Sequence, residues 1–231
     1  MLKKTFEGLA SWFSLTDEQA MWRARSTADL HAFGLLVERW RKRIYNLCFR
    51  MTGNAHTAED LTQEAFVRIF DRRRSYDPNH RFSSWLWRIA LNLCYDELRR
   101  VQRRHELSID NDDGAESGRT VRLEVIDPST PHERLQQREE AELVRAALLQ
   151  LPDIYRTVLV LRHYENLKLR EIAEVLEIPD GTVNSRMAEG LSRLSRLLEP
   201  QFGKKESSPA RATPPKAPTP PQISPREILS L

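Results

Sequence analysis

Cysteine is nearly absent. Cys48 and Cys94 are the only two in 231 residues, and both sit inside apolar helical patterns, where a buried free thiol is the usual state. That argues against a disulfide framework. Six histidines are scattered singly, none beside another His or Cys at ligand spacing, so no metal site is expected. Glycine is scarce, with eight in all, and none builds a phosphate-cradling loop. No nucleophile stands beside a recognisable base. The chain is therefore not expected to be an enzyme, and no cofactor is expected.

Long hydrophobic runs are missing too. No apolar stretch reaches membrane-spanning length, and the basic head "MLKKTFEGLASWFSL" is interrupted by Glu7 and Ser11 too early for a secretory signal. The expectation is a cytoplasmic chain without direct membrane insertion. Nor is there a strong excess of one charge. Lys and Arg number 36 against 33 Asp and Glu, a net charge of +3. The stretch 201–231 carries that whole excess, with Lys204, Lys205, Arg211, Lys216 and Arg226 against Glu206 and Glu227. Any basic surface before it must be local.

Alternating strand-like text is almost absent as well. What is present is helical: from Asp29 to Arg104 the apolar period is long, broken at "TGN" (52–54) and "YDPNH" (76–80). From His105 to about Arg138 that period disappears, and "IDNDDGAESGRT" with "DPSTP" has the composition of a solvated linker. A second helical block runs from about Glu139 to Leu198. The segment 200–231 holds eight of the 13 prolines and reads as extended or disordered. The expected fold class is all-α, with two small helical domains on a flexible connector.

In the second block, "LKLREIAEVLEIPDGTVNSRMAEGLSRLSRLL" (167–198) has the layout of a helix-turn-helix. Leu169, Ile172, Ala173 and Leu176 form one apolar face. Pro179 interrupts, Gly181 is expected to permit a sharp turn, and Asp180 or Thr182 to cap the next helix. Val183, Met187, Leu191, Leu194 and Leu198 then make a buried stripe. The opposite face carries Asn184, Ser185, Arg186, Ala188 and Glu189. Small and polar side chains there can reach base edges in a major groove. An ordinary helical hairpin with a solvated outer face fits the same spacing.

The first block raises a different question. In "NAHTAEDLTQEAFVRIFDRR" (54–73), Thr57 and Asp60 read as a capping box, and Leu61, Ala65, Phe66, Ile69 and Phe70 as the core side. Asp60, Gln63, Glu64 and Val67 lie on or beside the outer side. In "FSSWLWRIALNLCYDELRRVQRR" (82–104) a polar stripe runs Trp85, Arg88, Asn92, Asp96, Arg99, while Trp87 falls on the core side. Two readings of Trp85 stay open. It stacks an unpaired base, with Arg99, Arg100, Arg103 and Arg104 holding phosphates, or it caps the edge of the core.

Together the blocks resemble the extracytoplasmic-function (ECF) sigma factors of bacteria. "AEDLTQEAFVRIF" resembles the family's core-polymerase-binding helix, "FSSWLWRIALNLCYDELRR" its promoter-melting segment, and "LPDIYRTVLVLRHYENLKLREIAEVLEIPDGTVNSRM" its upstream-element reader. The resemblance implies this division: an extension over 1–27, sigma region 2 over 28–104, an acidic linker over 105–139, sigma region 4 over 140–199 and a Pro-rich tail over 200–231. It implies that Asp60, Gln63 and Glu64 meet the clamp helices of the polymerase beta-prime subunit. The loop before Trp85 would capture a flipped base of the minus-ten element, with Asn79, Arg81, Phe82, Ser84, Trp85, Arg88, Asn92, Arg99 and Arg100 as candidate contacts. Thr182, Asn184, Ser185, Arg186, Ala188 and Glu189 would face the minus-thirty-five element.

Core RNA polymerase, promoter DNA and an anti-sigma factor are the partners so implied. The chain departs from the family's pattern at Glu189, where a basic residue is usual, and at Gly190, where Ala is common. Beyond the resemblance, "ISPREILSL" in the tail has the cap and apolar spacing of a short docking helix. A free-standing helix-turn-helix regulator remains the rival reading, and a polymerase-docking adaptor a third. Neither needs every motif, because the regulator dispenses with Asp60 and Glu64 and the adaptor with Asn184 and Arg186.

Overall fold

The structure, a computed structural model, describes residues 15–108 and 131–202. The connector between them and the Pro-rich tail after Phe202, with its candidate docking helix, lie outside the described residues. Among those described there are eight α-helices and no strand: α1 (Asp17–Thr27), α2 (Leu30–Thr52), α3 (Ala55–Asp71), α4 (Phe82–Ser108), α5 (Pro131–Gln150), α6 (Asp153–His163), α7 (Leu169–Leu176) and α8 (Asp180–Phe202). A single 3₁₀ turn, Arg73–Ser75, leads into the loop before α4.

Local chemistry explains the breaks. Thr16 caps α1 through a reciprocal pair: its hydroxyl accepts from the Gln19 amide, and the Gln19 side chain accepts from the Thr16 amide. Asp29 caps α2 by accepting from the amides of His31 and Ala32. Between α2 and α3, Gly53 sits at φ 74° and returns its N–H to the Phe49 carbonyl. A Cβ there would also lie 2.7 Å from Leu149 of α5, so glycine serves both the left-handed backbone and the close approach. The cap of α3 is Asn54, whose side chain accepts from the Thr57 amide. The expected Thr57–Asp60 box is not the cap, because the helix already begins at Ala55.

Two elements extend beyond the sequence reading. Helix α1 lies in the stretch taken as an extension, where its weak apolar pattern reduces to buried Ala20, Met21 and Ala24. Helix α5 starts at Pro131, inside the stretch read as linker, and a first-position proline suits the fixed φ of a helix start.

The core runs through both blocks. Trp87, Phe82, Tyr76, Leu86 and Leu91 join Leu36, Ile44, Leu47 and Met51 of α2, and the same cluster continues into Val158, Val160, Ile172 and Val183 of the second block. Helix α6 packs on α2, and α7 on α4. Cys48 and Cys94 are both free and buried, as expected. The neighbouring Cys48 thiol and burial push the Cys94 thiol well above its ordinary pKa, so Cys94 behaves as a small apolar side chain.

Candidate nucleic-acid interface

The loop before α4 is built on Tyr76. Its side chain is 2% exposed, its hydroxyl donates to the His80 carbonyl at 2.7 Å, and burial pushes its pKa up to about 12. The ring of Trp85 lies 5.3 Å from that of Tyr76 and 6.5 Å from that of Phe82. A cleft of about 300 Å³ opens beside them, lined by Ser75, Tyr76, Asp77, His80, Ser84, Trp85, Arg88, Glu174 and Glu177. Trp85 is half-buried at the core edge, as the second reading expects, and it also lines the cleft.

The other expected residues of this face separate by depth. Phe82 is fully buried and packs beneath the cleft, so it offers no surface to DNA. Its place at the first position of α4 turns it inward with Leu86 and Trp87. Ser84 is 4% exposed but reaches the cleft wall. Asn79 is exposed, and its amide and side-chain nitrogen both donate to one oxygen of Asp77. Asn92, Arg99 and Arg100 are exposed along α4. Arg99 pairs with Asp96 at 3.0 Å and Arg100 with Glu97 at 2.5 Å.

Arg81 and Arg88 are engaged by the second block. Arg81 meets Glu171 at 2.6 Å, and Arg88 meets Glu177 at 2.6 Å while also donating to the Glu174 carbonyl. Nothing in the spacing of α4 announces this, because the partners lie far away in sequence, 90 residues for Arg81 and Glu171 and 86 for Arg88 and Glu174. Glu177 owes its position to a left-handed backbone, φ 54°, at the end of α7. That residue, not Gly181, makes the sharp turn of the helix-turn-helix. Gly181 is already inside α8, as are Asp180 and Thr182, so neither of the latter is its preceding cap.

On α8, Asn184, Ser185, Ala188 and Glu189 are exposed, and Thr182 and Arg186 are half-buried. Leu191 departs from the expected stripe: it is 44% exposed. The packed position one residue earlier is Gly190, where a Cβ would stand 3.3 Å from Leu159 and Tyr155. The close approach of α8 to α6 makes any Cβ there tighter than an ordinary van der Waals contact. Glu189 is held by Arg193 at 2.7 Å, and the Arg193 guanidinium stacks over the Tyr155 ring.

The outer face of α3 forms a separate surface. Gln63 and Glu64 are exposed, and Asp60 is 63% exposed with His56 at 2.9 Å. Val67 adds an apolar side chain, 54% exposed. Glu64 is bound to Arg68 at 2.7 Å. Among the described residues, no group of three His, Cys, Asp or Glu side chains gathers at metal-binding distance, and no helix is long and apolar enough to cross a membrane.

The sequence reading also missed the buried charges between the blocks. Arg156, 6% exposed, donates to the carbonyls of Leu148, Leu149 and Leu151 at the end of α5 and to that of Met51 in α2. Glu165 meets Arg43 and Arg50. The one signal in the sequence was an arginine on the inward phase of the apolar run "IYRTVLVL".

Comparison with known proteins matches the same two blocks. Residues 36–104 match the model of sigma-70 region 2, and 141–194 that of sigma-70 region 4. The chain is 39% identical over 171 residues to the ECF RNA polymerase sigma factor SigW of Bacillus subtilis, covering 74% of this chain and 90% of that one. It is 33% identical over 187 residues to the RNA polymerase sigma-H factor of Pseudomonas aeruginosa, covering 80% and 94%. In fold it is similar to CnrH, solved in complex with the cytosolic domain of CnrY, with a TM-score of 0.59 at 23% identity over 80% of this chain and 97% of that one. It is likewise similar to the sigma factor RpoE of Bartonella quintana, solved with the anti-sigma factor NepR, at a TM-score of 0.56 and 18% identity over 72% and 96%. With both regions present, in order and over nearly the full length of such a relative, the chain belongs to the ECF RNA polymerase sigma factors, which bind core RNA polymerase and direct promoter-specific initiation of transcription.

Proposed function

We propose that the division of labour follows the surfaces described above, with region 2 over 28–104, region 4 over 140–199, and the segments 1–27, 105–139 and 200–231 outside them. Asp60, Gln63 and Glu64, with Val67 beside them, dock on the clamp helices of the polymerase beta-prime subunit. The observation that supports this is a helix face on which carboxylates, an amide and a valine stand exposed among the described residues. Interfaces use such mixed faces, in which an apolar centre is rimmed by polar groups.

The cleft at Trp85 takes an unpaired nontemplate base of the minus-ten element, the Tyr76 and Trp85 rings offering apolar surface. Arg99 and Arg100 hold phosphates, as do Arg81 and Arg88 once promoter phosphates displace Glu171 and Glu177. Asn79, Ser84 and Asn92 edge the same face. On α8, Thr182, Asn184, Ser185, Arg186, Ala188 and Glu189 face the minus-thirty-five element in duplex form. The chain acts by binding alone, in the cytoplasm, with no covalent step of its own. The relatives solved with CnrY and NepR support an anti-sigma partner for this chain as well.

Run-off transcription tests the scheme: full chain plus bacterial core polymerase on fragmented genomic DNA, with 5′ ends mapped. Discrete starts sharing two upstream elements, lost on Asp60→Ala, are the expected result. Starts that survive Asp60→Ala together with Glu64→Ala would remove the docking assignment.

A further inference from the structure

We infer that α1, outside the matched region 2 segment, braces the base-capturing loop, with Arg25 as its positioning residue; this rests on the reading of the Trp85 cleft given above. Arg25, half-buried in the last turn of α1, donates from Nη1 to the Tyr76 carbonyl at 3.0 Å. Tyr76 holds the loop from inside through its bond to the His80 carbonyl and its ring contact with Trp85. The residue that sets the cleft wall is thus tied to α1 by its backbone and to the loop's far end by its side chain.

Helix α1 is itself anchored at its other end. Asp17 accepts from the Trp40 indole N–H at 2.8 Å and pairs with Arg39 at 3.0 Å, while Arg39 also donates to the Leu15 carbonyl. Met21, Ala20 and Ala24 are fully buried beneath the helix. Trp40 in turn meets Phe82 and Trp87 edge-on. One rigid connection therefore runs from α2 through α1 to the loop, and α1 touches both the 3₁₀ turn and α4. Without the Arg25 donor, the Tyr76 carbonyl loses its tie to that frame, and the cleft loses part of the preorganisation that favours an extruded base.

The test uses holoenzyme assembled from the full chain and bacterial core polymerase. The probe is the single-stranded nontemplate minus-ten element of a mapped start, intact or with each position made abasic in turn. With the unaltered chain, one abasic position should lower affinity about tenfold, the loss of one well-held base. Arg25→Gln, whose amide is too short to reach the Tyr76 carbonyl, should lose about tenfold on the intact strand and nothing further at that position, while Arg25→Lys, whose longer stem still carries a donor there, recovers most of it. Arg25→Met keeps the packed stem and serves where the Gln variant melts early. Equal losses on intact and abasic strands, or undiminished discrimination at that position, would overturn the assignment. An unaltered chain indifferent to every abasic position would instead sink the cleft reading, and the role of Arg25 with it.

Discussion

The Nε of Arg43 lies 3.2 Å from Oε2 of Glu165, a carboxylate whose side chain is 5% exposed. Arg50 approaches its other oxygen at 3.9 Å. The Arg43 guanidinium also lies over the rings of Trp40 and Trp87, and that of Arg50 over Tyr164. This pair joins α2 of the first block to the loop after α6 in the second. Burial raises the Glu165 pKa despite both arginines, and burial lowers that of Arg50 despite the carboxylate. Each partner thus reports that desolvation outweighs attraction, the usual balance for ion pairs taken out of water.

A pH dependence follows, with two carboxylates of opposite sign. Glu165, raised in the folded chain, contributes stability that is complete below the ordinary glutamate pKa and is lost as pH rises through its folded value. Glu171 is lowered, first by the Lys168 amide and then by Arg81, so its contribution is present above the ordinary pKa and lost as pH falls through the folded value. Glu165→Gln should be at least as stable as the parent at pH 7, with that advantage shrinking toward pH 4. Glu171→Gln should be less stable at pH 7 and converge on the parent in acid. Urea melts of the three chains across this range decide it. A Glu165→Gln chain clearly weaker at pH 7 would mean that the arginines win.

Arg156 supports a stability prediction. Its guanidinium donates to three carbonyls at the end of α5 and to one in α2; the Leu148 carbonyl also accepts from the Leu151 amide, while the others are acceptors at or just past helix ends. Arg156→Met keeps the stem and removes the donors. The expected loss is about 3 kcal/mol, read as a lower urea midpoint at unchanged slope. A shift under about 0.5 kcal/mol, the size usual for a surface site, would show that water replaces the guanidinium freely.

These two cases mark the limit of what periodicity can tell. Trp87, Leu91 and Cys94 are buried where a 3.6-residue period places them, and Arg99 and Asn92 are exposed on the opposite stripe. That pattern is local and survives in one helix. The pairing of Glu171 with Arg81, and of Glu177 with Arg88, depends on how two blocks far apart in the chain meet, which no local spacing encodes. The same holds for Gly190 and Leu191: a straight heptad-like stripe favours Leu191, but it is Gly190 that faces α6, where a Cβ would stand 3.3 Å from Leu159 and Tyr155. Helix α1 was missed because two of its three buried side chains are alanines, too small to stand out as an apolar face.

Charge reversal at the block contact gives a separate test. Glu171→Lys with Glu177→Lys places like charges against Arg81 and Arg88, now held at 2.6 Å each. Repulsion should part α7 from the loop, seen as a larger radius of gyration in solution scattering of the full chain. The arginines freed of carboxylate partners should bind single-stranded minus-ten DNA several-fold more tightly without polymerase. An unchanged radius would assign the contact to the apolar packing of α7 on α4 alone.

Glu189 stands on the exposed face of α8, where the resemblance to the family implies a basic side chain. A carboxylate there accepts from cytosine N4 but repels phosphate. In this chain Arg193, one turn on at 2.7 Å, pulls it along the helix and offsets its charge. If Glu189 reads a base, as proposed, Glu189→Arg removes an acceptor, adds a donor to phosphate and leaves two arginines on one helix face. The mutant should rank promoters differently in run-off assays, with discrimination at one upstream position reduced about tenfold, the lower range for a single base contact. Arg193→Ala frees the carboxylate and should sharpen the parent preference at that same position while weakening binding to all sequences alike. If Glu189→Arg strengthens binding uniformly and leaves the promoter ranking intact, Glu189 reads no base, and its acidity serves only the ion pair with Arg193.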